Sequence, residues 1–228
     1  MDLNDLYFEK QKNKNNFQLD KNFDKKRSLM ADREVVTFVN LLSLSGLKNL
    51  NNLNDLKILD LGSGDQFLKH SLTTAGADYT PIDYDTANFN KDSLPFDDNE
   101  FEIIISLAVI EHIENISHFL SEVRRVLKPK GILYLSTPNF KYCYRTFYND
   151  PTHIRPFTDV SIARLLEIFK FQNINTFPGA RCKNNWFYKG KTRFLKCAIL
   201  PFREKRWYCP AFLSGKATSV IAIAQKSS

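Results

Sequence analysis

The chain has 228 residues, 43% of them hydrophobic, which is enough to bury one full core with elaborations, and its formal net charge is +7. No run of eighteen apolar residues occurs, so no transmembrane helix is predicted, and the polar stretch from Met1 to Lys26 lacks the make-up of a secretory signal. The four cysteines match no C-x-x-C spacing and the four histidines are scattered, which argues against a metal site and for reduced thiols in the cytoplasm.

Met1 to Lys26 is rich in Asn, Lys and Asp and reads as a frayed or partly helical arm. From Ser28 the pattern turns helical: Val35, Val36, Phe38, Val39, Leu41 and Leu42 form an apolar face, Gly46 is the expected C-cap, and Leu47 to Asp55 is an Asn-rich linker. Arm and helix, 1–55, precede a main domain, 56–228. Ile58, Leu59 and Leu61 predict a buried parallel strand, which Asp60 interrupts near its carboxyl end. Gly62, Ser63 and Gly64 turn the chain without side-chain bulk into a helix over Gln66 to Ala75, closed by Gly76. Tyr79 to Ile82 is the next strand and ends in Asp83. Phe89-Asn90 reads as a vestigial third strand.

Phe101 to Leu107 is a β-branched run expected at the sheet centre, with Ser106 and Leu107 at the ligand-facing carboxyl end. A short helix at Ile110 to Ile113 holds Glu111 and His112, read as architectural. A helix over Ser117 to Leu127, with Ser117 as N-cap, leads to a strand at Ile132 to Ser136. Thr137 to Phe157 is irregular, and a long loop beyond a strand's carboxyl end is where substrate contacts belong. His153 is its one histidine and a candidate proton acceptor, with Tyr144, Tyr148 and Arg155 as candidate substrate contacts. Thr158-Asp159 caps a helix over Val160 to Phe169, and strands follow at Phe171 to Phe177 and Ala217 to Ala224.

The last two strands flank an insertion, Pro178 to Lys216. Residues 181–206 hold nine Lys or Arg and one acid, so this segment carries +8 and the remainder −1. Aromatics such as Trp186, Phe187 and Tyr188 are interleaved. A solvated hairpin whose aromatics finish the core ranks first, an anionic membrane or lipid-linked substrate second, and nucleic acid third.

The glycine turn and the acid ending the second strand suit a nucleoside ligand. A dinucleotide fingerprint is broken, because Phe67 stands where its third glycine belongs, and Asp60 would repel a pyrophosphate. S-adenosylmethionine, with an ammonium, a sulfonium and a ribose, fits both acids.

Asp60-Leu61-Gly62-Ser63-Gly64 resembles motif I of the class I S-adenosylmethionine-dependent methyltransferases. Leu94 to Phe101, Glu111-His112-Ile113, Val126 to Gly131, Ser136 to Asn139 and Asp150 to Phe157 resemble segments of their type 11 small-molecule group, in order. Gln66 and Lys130 depart from it, each standing where the group usually has glycine. The resemblance implies a Rossmann-like α/β fold, with a seven-stranded mixed sheet, helices on both faces and an antiparallel edge strand. It implies methyl transfer from S-adenosylmethionine, with O-methylation of a small-molecule or glycolipid acceptor expected. It gives Asp83 the ribose, Gly62 to Gly64 the methionine part, and Asp60 the amino group or the turn. Tyr84, Asp92, Ser93 and Leu94 fall at the cofactor, with Asn90 competing for the adenine contact of Asp92. A binding protein on a degraded scaffold and an RNA methyltransferase using 181–206 are the alternatives.

Overall fold

The computed structural model describes residues 21–47, 53–180, 185–200 and 217–228. The arm up to residue 20, most of the Asn-rich linker, and residues 181–184 and 201–216 of the basic insertion lie outside the described residues.

Six strands form one sheet in the order β2-β1-β3-β4-β6-β5. These are β1 (Lys57–Leu61), β2 (Asp78–Ile82), β3 (Phe101–Leu107), β4 (Leu127–Pro138), β5 (Phe171–Pro178) and β6 (Ser219–Lys226). β2, β1, β3 and β4 are parallel, and β6 runs antiparallel between β4 and β5. The centre is apolar on both faces because helices cover both, so Ile103, Ile104 and Ile105 in β3 are all buried.

The pleat sends alternate residues to two core layers. Leu59, Leu61, Ile104 and Leu133 pack with α3 (Ile116–Val126) and α5 (Asp159–Ile168). Ile58, Ile103, Ile105 and Tyr134 pack with α1 (Lys21–Leu44) and α2 (Lys69–Thr74). In α1, Phe38, Leu41 and Leu42 face the sheet as expected, whereas Val36 is exposed. Phe38 meets Tyr134 edge-on at 4.9 Å, and the Tyr134 hydroxyl donates to buried Glu34 Oε1 at 2.8 Å. Gly46 follows α1 with φ of +78°, the C-terminal cap conformation the sequence indicated.

The sheet corrects the expected seventh strand: six strands are present among the described residues, and none forms at Phe89-Asn90. Side chains there take backbone groups that a ladder would have used. Asn88 Oδ1 accepts from Asn90 N, the Asp92 carboxylate accepts from Asn88 N, and Asn90 Oδ1 accepts from Glu114 N and Asn115 N. Among the described residues β2 is therefore the edge, and its Pro81, with no N–H to give, suits that position. The cap of α3 is Asn115, not Ser117: its Oδ1 accepts from His118 N at 3.1 Å. β4 starts directly after α3, and residues 128–131 bulge out between the pairs Phe101–Leu127 and Ile103–Ile132. Thr158 caps α5 in a capping box closed by Ser161.

In the insertion, α6 (Asn185–Tyr188) and α7 (Arg193–Ile199) follow α4 (Phe140–Cys143) and α5 in chain order. Phe187 and Tyr188 are buried and complete the α1 side of the core, as expected, but the described residues of the insertion form these two short helices instead of the expected hairpin. Trp186, Leu195 and Ile199 are exposed. No helix of the described residues is long and apolar enough to cross a membrane.

Candidate active site

The carboxyl ends of β1 to β4 meet at one edge, where a ligand belongs in an open α/β sheet. The Gly62 and Ser63 amides donate to Ile82 O at 2.9 and 3.1 Å, tying the turn after β1 to the end of β2. Gly62 has φ of +81°, and a Cβ there would lie 2.2 Å from Val109 Cγ2. Gly64 has φ of +54°, and a Cβ there would meet nothing within 4 Å. The first glycine thus serves packing, and the second leaves open space at the mouth. Gln66 has φ of +55°, the left-handed region that glycine favours. α2 begins at Lys69, a few residues later than expected.

Asp83 closes the opposite side. Its Oδ2 accepts from Gly64 N and its Oδ1 from Tyr84 N, both at 2.7 Å. The Tyr84 hydroxyl accepts from Asn88 Nδ2 at 2.6 Å. Asp60 is 3% exposed, and its Oδ2 accepts from the Tyr79 hydroxyl at 2.6 Å. Burial pushes the Asp60 carboxyl up to about 6; the Tyr79 hydrogen bond opposes the rise, and the charges of Asp83 and Asp65 add to it. Tyr79 is a site residue that sequence reasoning missed. Ile58 pairs with Tyr79 and Asp60 with Pro81, so Tyr79 reaches Asp60 only because of a strand register that the sequence does not display.

A raised folded-state value means that the Asp60 proton favours the folded form. That contribution is complete below the ordinary value of 3.8 and is lost as pH rises through about 6. Asp60→Asn is therefore expected to raise stability at pH 8 by about 1–3 kcal/mol and to flatten the fall between pH ~4 and ~6. Denaturant melts across that range check it; an unchanged slope would show that Asp60 is not the titrating group.

Of the other expected cofactor contacts, Asp92 and Ser93 are exposed and Leu94 is buried. The Leu94 amide is taken by Glu122 Oε2 at 2.7 Å and its carbonyl by Arg125 Nη2 at 2.9 Å, so this segment is strapped to α3. Ser106 is fully buried, with no hydrogen-bond partner for its Oγ, and Leu107 is half-buried at the end of β3.

The acceptor side is built from residues far apart in sequence. Glu111 lies in a 3-10 turn, Ile110–His112, and is fully buried. Its carbonyl accepts from Ile154 N and Arg155 N at 3.0 and 3.2 Å, which fixes the loop after β4 against the turn after β3. Its Oε2 accepts from the Thr137 hydroxyl at 2.9 Å, and its Oε1 has no hydrogen-bond partner. Burial pushes the Glu111 carboxyl up to about 7 against the Thr137 hydrogen bond.

The His112 and His153 rings stand 4.8 Å apart, and His153 packs on Phe147 at 4.6 Å. Burial and the neighbouring His153 hold His112 below its ordinary value. The His112 Nδ1 lies 3.1 Å from Thr152 O and 2.9 Å from Thr152 Oγ1, and that hydroxyl donates to Asp150 Oδ1 at 2.6 Å. The His153 Nδ1 lies 2.7 Å from Phe147 O, so the ring also ties the loop to itself. Tyr144 and Tyr148 are 55% and 60% exposed beside this cluster in sequence, and Arg155 donates to Glu114 O at 3.3 Å.

Residues 25–176 match the family model described as a methyltransferase domain, about two thirds of the chain. The chain belongs to the class I S-adenosylmethionine-dependent methyltransferases. This methyltransferase is 35% identical over 101 residues to a ubiquinone biosynthesis O-methyltransferase of Rickettsia bellii. The match covers 36% of this chain and 42% of that protein, less than half of the curated relative's length. Its fold is that of a SAM-dependent methyltransferase from Archaeoglobus fulgidus, with a TM-score of 0.55 at 16% identity over 85% of this chain and 94% of that one. One from Mesorhizobium loti gives 0.54 at 14% identity over 78% and 94%.

The residues fit the family's cofactor, S-adenosylmethionine. Gly64 leaves room at the turn, the Asp83 carboxylate stands at its mouth, and the buried Ser106 Oγ has a hydrogen bond to give. Asp60 and Tyr79 would face the amino group, and Asp83 the ribose.

Proposed function

We propose that this methyltransferase methylates a hydroxyl of a small-molecule or lipid-linked sugar acceptor. The observation that carries the reading is the cluster of Glu111, His112 and His153, whose ligand atoms lie within 4.8 Å of one another at the carboxyl edge of the sheet. The name of the Rickettsia relative, an O-methyltransferase, supports an oxygen acceptor. When bound, S-adenosylmethionine supplies an electrophilic methyl carbon whose bond to sulfur breaks as the acceptor oxygen bonds to it, the sulfur keeping the electron pair.

The chain's own work is alignment, exclusion of water and removal of the hydroxyl proton. His153 is the residue proposed to take that proton. With its Nδ1–H donated to Phe147 O, the lone pair lies on Nε2. Tyr144, Tyr148 and Arg155 are proposed to hold the acceptor. Exposed Trp186, Leu195 and Ile199, close in sequence to exposed Lys189 and Lys191, favour an acceptor presented at an anionic membrane surface.

The test is transfer of labelled methyl to free phenols, free sugars and lipid-linked sugars in anionic vesicles. His153→Gln is expected to lower kcat by about 10²–10⁴-fold with cofactor affinity unchanged. Cofactor binding with no labelled product from any hydroxyl acceptor would favour a binding protein instead.

A further inference from the structure

The insertion after β5 leaves the sheet at the same edge as the loop after β4. β4 and β5 both pair antiparallel with β6, so they run in one direction and end together. α7 is fastened there. The Tyr142 hydroxyl of α4 donates to Phe194 O at 3.1 Å, and the Arg193 guanidinium lies 4.9 Å over the Phe177 ring near the end of β5. Phe194 packs on the core layer of α3 and α5, and Leu200, just past α7, packs on that of α1.

These contacts use the inner side of α6 and α7 and leave the outer side apolar. Leu195 and Ile199 stand four residues apart on one stripe of α7 and are 57% and 70% exposed. A surface helix ordinarily turns polar residues to water there. Trp186, 68% exposed, is tied to α7 by Lys196. The Lys196 Nζ stands 4.3 Å over the Trp186 ring and donates to Trp186 O at 2.7 Å and to Lys189 O at 3.1 Å. Residues 185–200 hold four cations, Lys189, Lys191, Arg193 and Lys196, and no acid. Lys189 and Lys191 are exposed.

We infer that this outer face of α6 and α7 docks on an anionic lipid bilayer and turns the acceptor loop toward the headgroups. The catalytic use of the docking rests on the lipid-linked acceptor proposed above and deepens it. Chemistry selects the occupant. Tryptophan and lysine suit the headgroup level, while Leu195 and Ile199 suit the acyl boundary beneath it. With seven residues, α7 lies on the surface and does not span it. Nucleic acid would satisfy the cations but would give the two aliphatic side chains nothing to bury against. A second copy of the chain would set like charges against each other. Tyr144, Tyr148 and Ile154 in the loop after β4 are exposed as well, so apolar groups continue along the same edge to the acceptor side.

The experiment is co-sedimentation of the full chain with vesicles of phosphatidylcholine alone and of phosphatidylcholine mixed with phosphatidylserine. Binding to the mixed vesicles only is expected, weakening as salt rises. Lys189→Gln with Lys191→Gln is expected to weaken it by roughly 30-fold, and Leu195→Ser with Ile199→Ser by about 10-fold or more. These side chains are exposed, so both variants are expected to stay folded, which thermal melts check. No binding to either vesicle would overturn the inference, as would equal binding to both or binding unchanged in both variants. Retention on RNA without vesicle binding would assign the cations to nucleic acid and overturn it too. Self-association lost in the serine variant, without vesicle binding, would overturn it in favour of a second copy. Cofactor affinity and labelled-methyl transfer to free phenols are expected to stay unchanged in both variants, while KM for a lipid-linked sugar in mixed vesicles rises. Vesicle binding without any methylated lipid-linked sugar would leave the docking standing and remove the lipid-linked acceptor, so the two failures are separable.

Discussion

Asp83→Ala is expected to weaken binding of S-adenosylmethionine and S-adenosylhomocysteine by about 100-fold or more, measured by calorimetry. A carboxylate at the end of β2 accepts from ribose hydroxyls, and each hydrogen bond to a charged group contributes about 1.5–3 kcal/mol. Two of them account for roughly a 10²- to 10⁴-fold change. The free protein already uses both Asp83 oxygens, one on Gly64 N and one on Tyr84 N. The alanine variant therefore also loosens the turn, and its thermal stability is measured alongside. Asp83→Asn keeps one acceptor oxygen for the turn and is expected to fall between the two. Affinity within about twofold of wild type in a folded Asp83→Ala protein would remove the ribose from this position.

Gly62→Val is expected to cost about 3–4 kcal/mol of stability. A branched side chain at φ of +81° carries a backbone penalty of about 1–2 kcal/mol. Its Cβ would also fall 2.2 Å from Val109 Cγ2 in a packed layer, and overpacking adds about 1–3 kcal/mol. For a chain of this size the melting temperature should fall by roughly 10 °C. Gly64→Ala provides the contrast. Its Cβ meets nothing within 4 Å, so only the backbone cost applies, and the effect appears in cofactor affinity instead. Equal loss of stability at both positions would show that Val109 yields and that packing does not set the role of Gly62.

The parts of the fold that local sequence determines were legible. Isoleucines in succession predicted a strand covered on both faces, and Thr158-Asp159 signalled a helix start. The glycine turn and Asp83 were readable because both follow short apolar runs at the ends of strands. Asn115 was passed over for Ser117, since both residue types cap helices and only the Oδ1 contact to His118 N decides between them. Phe89-Asn90 looked like a strand by composition, but three Asn and Asp side chains claim the nearby backbone. The acceptor side was the least legible. Glu111 looked architectural, and its carbonyl does bond to the loop, yet its carboxylate shares a cluster with two histidines. Contact between His112 and His153 depends on where a loop after β4 folds back, which no spacing rule contains.

Pro81 carries a consequence beyond the cofactor edge. Among the described residues the sheet stops at β2, and such an edge strand is able, in principle, to recruit the same strand of another molecule. β2 is only five residues long and gives up one amide to proline, two devices that blunt such edges. The absence of a strand at Phe89-Asn90 is thereby made compatible with a chain that stays apart from its copies at that edge, even when crowded.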